Sequence, residues 1–406
     1  MISAGISATS RPYIDASVPV LREHGVTITT TFYRNMFAAH PELTNIFNMA
    51  NQANGMQQQS LAAAVFAYAS NIDNPAALAP VVSRIVHKHA SLGIKPEHYP
   101  IVGRYLIGAI GQTLGEAATP ALLAAWDEAY NALARQFIEA EKKLYAASGV
   151  AAGVTRAMRI EARVHESVDV TSITLRAQDG APAPSFKPGQ YISCTIAFPD
   201  GTRQLRQYSL SDAPNGDTLR ISVKREPAMA GKPAGQVSNW IHQQLQVGAT
   251  VQVSPPYGDF APDTESLAPI VLLSAGIGIT PMISVLNRIA VCHPMRHVIF
   301  GHAARSALHH AHQGDLAAAK AAMPNLSTAT FYESMSEPEQ GLMAGLMAGL
   351  MDIARLPPWS RGQTNVYLCG PTGFMRAQWT GLVAAGVPVT HLHREVFGPD
   401  LLDSLN

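Results

Sequence analysis

The chain has 406 residues, 47% of them hydrophobic, and Lys plus Arg balance Asp plus Glu at 29 each. That length predicts two or three domains with ample apolar material for their cores. Zero formal charge excludes the basic excess of a nucleic-acid binder, and the scattered Cys194, Cys292 and Cys369 exclude a disulfide framework.

The first residues lack a basic segment followed by an apolar core, and no apolar run approaches the ~20 residues of a bilayer span. A cytoplasmic chain without a membrane span, acting as a monomer, is expected. From Ile14 to Tyr145 the sequence is Ala-rich, with apolar residues at helical spacing. Breaks are predicted at His40-Pro41, Asn51–Gly55, Asn74-Pro75, Lys95-Pro96 and Thr119-Pro120. In APVVSRIVHKHASLG, Val82, Ile85, Val86 and His89 share one helical face, whereas His87 projects with Ser83 and Arg84 toward solvent. An inward histidine is either a hydrogen-bonded core residue or a metal ligand, and spacing leaves both open. Tyr33 shares a face with Thr29, Phe32, Met36 and Phe37. Gln57 heads the stripe Leu61, Ala64, Val65, Tyr68. A buried hydroxyl and a buried amide each need a partner.

The segments FYRNMFAAHPELTNIFNMANQANGMQQQSLAAAV and IVHKHASLGIKPEHYPIVG closely resemble the globin domain of the flavohaemoglobins. The resemblance implies a haem b whose iron is held by His89, with Phe47 on the haem face and Tyr33, Gln57 and Leu61 forming the distal pocket. It implies that Tyr99 and Glu141 hydrogen-bond around the ligand histidine and raise its basicity, pushing charge onto bound dioxygen. Lys88 matches a family position tied to haem potential. FIEAEKKLY also offers Glu139; the two carboxylates project about 200° apart on a helix, so only one can face the haem. The family pattern favours Glu141.

The small, uncharged run Ala146–Thr155 reads as a domain boundary. Six short alternating segments follow (MRIEARVHE, VTSITLRAQ, GQYISCTIAF, LRQYSLSD, TLRISVKRE and GATVQVSPPYGDF), which predict a closed antiparallel barrel. Arg206-Gln207-Tyr208-Ser209 suits a flavin nucleotide: the arginine fork fits a pyrophosphate, the tyrosine offers a flat face, and the serine can hydrogen-bond a ring nitrogen. The alternative is a strand with an outward arginine. Gly235, Gln236, Val237 and Ser238 open an amphipathic helix whose first N–H groups suit a pyrophosphate. The order PGQY, RxYS, GQVSN resembles flavin reductases of the ferredoxin-reductase type, where the position of Tyr191 contacts FAD.

APIVLLSAGIGITPMISVLNRI is a fully apolar strand, a glycine turn and a helix, the pattern of a parallel sheet covered on both faces. Gly276 and Gly278 let backbone approach a dinucleotide. SAGIGITPM matches the same reductases, which implies that Ile277 and Ile279 join the cofactor-binding turn, that Thr280 and Pro281 lie beside the nicotinamide end and that Cys369, Gly370 and Pro371 of NVYLCGPTGFM lie near the hydride-donating ring. In HREVFGPD the resemblance places Glu395, Val396, Phe397, Gly398 and Pro399 by the flavin, with Phe397 shielding its face; Arg394 stands where the family has tyrosine. Gly341–Met351, a GLMA repeat of period four, has no family counterpart and is expected to form a loop entering a helix.

The resemblance covers nearly the whole chain and implies a multidomain fold: an all-α globin domain (1–147), an antiparallel β-barrel FAD domain (155–263) and an α/β parallel-sheet NAD(P) domain (267–406). The implied activity is that of a nitric oxide dioxygenase. NADH or NADPH would reduce FAD, FAD would reduce the haem, and dioxygen and nitric oxide would be the substrates. Two other readings are a gas-binding carrier or sensor and a haem reductase acting on peroxides or on nitric oxide without oxygen.

Overall fold

The computed structural model describes residues 6–47, 49–229, 233–335 and 345–398. Its first unit is helical: α1 (Arg11–Ala39), α2 (Met49–Ala53), α3 (Met56–Ser70), α4 (Pro75–Leu92), α5 (His98–Leu114) and α6 (Pro120–Ser148). The predicted breaks separate these helices, except that α2 runs into the Asn51–Gly55 break. Pro75 and Pro120 occupy first turns, where a missing N–H costs nothing. Thr119 Oγ1 caps α6 by accepting from Leu122 N at 3.2 Å. α6 also consumes the first three residues of the expected linker, ending at Ser148.

One crossing matters for the site. α1 and α3 pack closely, with Gly25 of α1 against Ala62 of α3, and Thr29 Oγ1 donates to Gln58 O at 2.9 Å. That register puts Tyr33, one turn beyond Thr29, beside Gln57.

The second unit holds β1 (Arg156–His165), β2 (Val170–Ala177), β3 (Tyr191–Ala197), β4 (Arg203–Ser209), β5 (Thr218–Lys224), α7 (Gln236–Gln244) and β6 (Thr250–Val253). Its antiparallel sheet has the order β4-β3-β6-β1-β2-β5, and a bridge between Leu210 and Ile221 joins the two ends. Alternation builds the interior: Ile192, Cys194 and Ile196 of β3 and Leu219, Ile221 and Val223 of β5 point into one core.

The third unit runs β7 (Ile270–Ala275), α8 (Ile279–Cys292), β8 (Val298–Ala304), α9 (Gln313–Ala322), β9 (Leu326–Tyr332), β10 (Leu346–Ala348), β11 (Asn365–Cys369), α10 (Thr372–Ala384) and β12 (Leu392–Glu395). The sheet is wholly parallel, in the order β10-β9-β8-β7-β11-β12. All six residues of β7 are buried, as a central strand covered on both faces requires.

The repeat departs from expectation. Residues 341–344 lie outside the described residues, and Leu346–Ala348 form an edge strand beside β9 rather than a helix entry. Gly345 explains the choice: its φ is +87°, its O accepts from Thr330 N at 2.7 Å, and a Cβ there would lie 2.6 Å from Thr328 O. A period of four places glycines on a ridge only if the segment is helical. Pairing to β9 fixes it as strand instead.

Candidate functional site

α4 carries the centre of the helical unit. His89 Nδ1 lies 2.8 Å from Glu141 Oε1 and 3.0 Å from the Tyr99 hydroxyl, which itself donates to Glu141. Because an ionised carboxylate only accepts, the ring proton sits on Nδ1 and Nε2 is left with the lone pair that can take a metal. Burial, and then the Glu141 charge, push the Tyr99 phenol well above its ordinary value, so it stays a donor. Of the two carboxylates on α6, Glu141 is 2% exposed and reaches the ring, while Glu139 is exposed. The His89 side chain is 30% exposed beside that buried partner, so part of the ring is left uncovered.

Tyr33 on α1 is buried against Phe32, Phe37 and Phe47, and its hydroxyl accepts from Gln57 Nε2 at 3.3 Å. Desolvation pushes that phenol up to about 12. Gln52, which sequence reasoning did not single out, lies beside this hydroxyl with its buried Nε2 unpaired. Val82 packs against both the Tyr33 cluster and the Tyr99–Phe137 cluster. Phe47, Leu61, Val65, Val82 and Ile85 lie on inward faces yet are only part-buried. An apolar wall left half-open between a hydroxyl and an imidazole Nε2 fits a flat, hydrophobic, metal-bearing ring such as haem.

On the barrel, β3 and β4 pair Tyr191 with Ser209, Ser193 with Gln207 and Cys194 with Arg206. Arg206 is half-buried, donating to Gln204 Oε1 (3.1 Å) and Leu205 O (2.7 Å). Tyr208 packs on the barrel core. Gly235 caps α7, and the Ser238 hydroxyl accepts from Glu226 N at 3.1 Å, so the helix start is held against the end of β5. Val237 faces the core, so it and Gln236 offer a ligand the N–H groups of the first turn.

The seam between the units is where sequence reasoning fell short. Gln207 Nε2 donates to Ser91 Oγ at 2.6 Å, two residues beyond His89, and Ser91 Oγ donates to Lys88 O. Lys88 Nζ donates to Gly398 O at 3.0 Å. His87 does not face solvent: it is part-buried, and its Nδ1 accepts from Gly258 N at 3.0 Å. Burial lowers its pKa, which keeps that acceptor lone pair. Helical periodicity had to assign the face opposite the haem to water, because it cannot see a second domain docking there. Glu395, the last residue of β12, is pushed up to about 8 by burial and by Asp259, against the opposing charges of Arg84 and Lys88. Tyr191, Asp259, Arg84, Lys88 and the 395–398 segment, with Val396, therefore meet in one place. Phe397 is 44% exposed there, an aromatic face without protein cover. Pro399 lies outside the described residues.

In the third unit Gly276 and Ile277 are half-open, whereas Ile279, Thr280 and Pro281 are buried, and Thr280 Oγ1 donates to Ile277 O at 3.0 Å. These three therefore present backbone rather than side chains to a ligand. A Cβ on Gly278 would lie 2.4 Å from Cys369 O and 2.7 Å from Gly370 N, so the turn after β7 touches the turn after β11. Pro371 is exposed and Gly370 half-open at that edge, while the Cys369 thiol is buried and, by burial and the Glu395 charge, held well above its ordinary range. Arg305 is held by Asp169 at 2.9 Å.

Family models match in the same order as the units: Globin over residues 30–137, Oxidoreductase FAD-binding domain over 157–261 and Oxidoreductase NAD-binding domain over 272–379. A flavohemoprotein of Rhizobium meliloti is 43% identical over 98% of this chain and 99% of its own length, and one of Chromobacterium violaceum is 45% identical over 97% and 98%. The chain belongs to the flavohemoprotein family. With that membership come a haem-bearing globin unit, an FAD unit and an NAD unit, joined as an oxidoreductase in which a flavin reductase serves a haem. The crystal structure of a flavohemoglobin from Malassezia yamatoensis with bound FAD and heme superposes at a TM-score of 0.85, with 32% identity over 97% of this chain and all of that one. The FAD/NAD-binding part of a nitric oxide dioxygenase from Vibrio cholerae matches at 0.55, 35% identical over 60% of this chain and 99% of that one. Among the described residues no helix is long and apolar enough to cross a membrane.

Proposed function

We propose that this flavohemoprotein-family chain is an NAD(P)H-dependent nitric oxide dioxygenase. When bound, the nicotinamide, flavin and haem supply, in that order, hydride, one-electron transfer and the dioxygen chemistry that turns nitric oxide into nitrate. The observation that carries the reading is the pair of partners on His89 Nδ1. Glu141 and Tyr99 hold the proton on that nitrogen and make Nε2 a strong donor toward iron, which favours charge on the distal ligand. Tyr33, with Gln57 and Gln52 around its hydroxyl, is the donor that such a negatively polarised ligand needs. The tie from Gln207 to Ser91 fixes the flavin-binding strand against the helix of His89, so the two redox sites keep one spacing. Arg206, Tyr208, Ser209, Tyr191 and the first turn of α7 are assigned to FAD, and Gly276, Gly278, Gly370 and Pro371 to the nicotinamide nucleotide.

The test is nitric oxide added to the aerated, NADH-supplied protein. Rapid NADH consumption with stoichiometric nitrate is expected; slow consumption without nitrate would favour a carrier. A second expectation concerns Tyr33→Phe. A hydrogen bond to a charged group contributes about 1.5–3 kcal/mol, so dioxygen should leave roughly 10–100-fold faster from the ferrous variant. Stopped-flow release of dioxygen measures this, and an unchanged rate would remove Tyr33 from the distal role.

A further inference from the structure

Outside the redox centres, the described residues hold one cluster of three potential metal ligands: Glu166, His312 and Asp315. Glu166 follows β1 in the barrel unit, while His312 and Asp315 belong to the start of α9 in the third unit. The cluster therefore straddles the seam between the two reductase units. His312 is fully buried and is the only described residue other than glycine in left-handed backbone, with φ at 62°.

We propose that these three side chains form a site for a borderline divalent cation, with zinc as the natural probe. Donors about 2.0–2.1 Å from a tetrahedral zinc are roughly 3.3 Å apart. His312 Nδ1 is 2.9 Å from Asp315 Oδ2 and 3.8 Å from Glu166 Oε1, which brackets that spacing. All three ligand atoms lie within 4.8 Å of one another.

The outer contacts match those of a metal centre. His312 Nε2 is 2.9 Å from Ser222 Oγ, which contacts Ser211 Oγ and Ser172 Oγ in turn. Ser172 Oγ donates to Glu166 Oε1 at 2.6 Å, and the other Glu166 oxygen accepts from His312 N at 3.2 Å. Asp315 turns its other oxygen, Oδ1, to Arg220 Nη2 and Asn287 Nδ2, both at 2.8 Å, so Oδ2 has only its 2.9 Å hydrogen bond with His312 Nδ1, which the ion would replace. Outer partners of this kind fix ligand orientation and the imidazole tautomer. On binding, the ion takes the Nδ1 lone pair, the ring proton sits on Nε2 and is donated to Ser222, and water completes the coordination. One imidazole with two carboxylates suits zinc and its first-row neighbours rather than calcium or magnesium.

The experiment is equilibrium dialysis of the flavin- and haem-loaded protein against zinc buffered by a competing chelator, read as bound zinc per chain. One tightly held zinc is expected in the parent protein, with affinity falling at least about 100-fold in His312→Gln and in Glu166→Gln, since loss of a ligand exceeds loss of an outer partner. If His312→Gln does not fold, Glu166→Gln decides. A parent protein that takes up no stoichiometric zinc overturns the site. So does zinc retained undiminished in the folded variants, which would place it elsewhere, for example at Cys292.

Discussion

His89→Ala is expected to abolish the ordinary haem spectrum while pyridine nucleotide still bleaches the flavin. Among the described residues, His89 is the only one whose imidazole is gripped on one nitrogen by a buried carboxylate and a buried phenol while the ring is otherwise part-exposed. Removing it takes away the proposed iron ligand and also leaves Glu141 buried with one hydrogen-bond partner fewer. Outer-shell losses alone cost metal sites about 10–100-fold in affinity, so haem retention should fall by at least about 100-fold. The Soret band after dialysis measures it. Added imidazole should restore part of the band by occupying the vacated space, an outcome that general misfolding would not give. A parent-like spectrum would show that His89 is a core histidine after all.

Gly278→Ala should do the reverse, sparing the haem and crippling hydride delivery. Its added Cβ would meet Cys369 O at 2.4 Å, Cys369 C at 2.5 Å and Gly370 N at 2.7 Å, all backbone that has no rotamer to turn away. Overpacking of this kind costs about 1–3 kcal/mol, and the relief available is to spread the turns after β7 and β11. Those turns form the edge at which the nicotinamide is proposed to bind. A displacement of about 1 Å can cost about 100-fold in rate. Stopped-flow flavin reduction by NADH should slow by that order, with the dithionite-reduced haem spectrum unchanged. Normal flavin reduction would mean that the close approach of the two turns does not shape the site.

Much of the molecule is legible in its sequence. Helical spacing and proline breaks located the helical unit, and alternation located all six barrel strands. The apolar run at 270–275 announced a doubly covered parallel strand. These are local properties, because each depends on residues within one or two turns or along one strand. The resemblance to flavohaemoglobins added the order of the units and the identity of the cofactors.

Other features depended on residues distant in sequence. Glu141 and Glu139 are two positions apart and chemically alike; only the packing of α6 on α4 decides which one reaches His89. His87 looks solvent-facing on its own helix and becomes part-buried because Gly258, 171 residues away, donates to it. Gln207 reads as an ordinary residue of a flavin motif, yet its amide ties β4 to Ser91. The GLMA repeat has a helix's period and becomes a strand because β9 offers an open edge. Local propensity and periodicity, which act over a few residues, fix most helices and strands in this chain, the GLMA repeat excepted, and the resemblance fixes the cofactors. Only the tertiary structure decided which polar groups meet across the seams, since a side chain's partner on another unit leaves no periodic trace in its own segment.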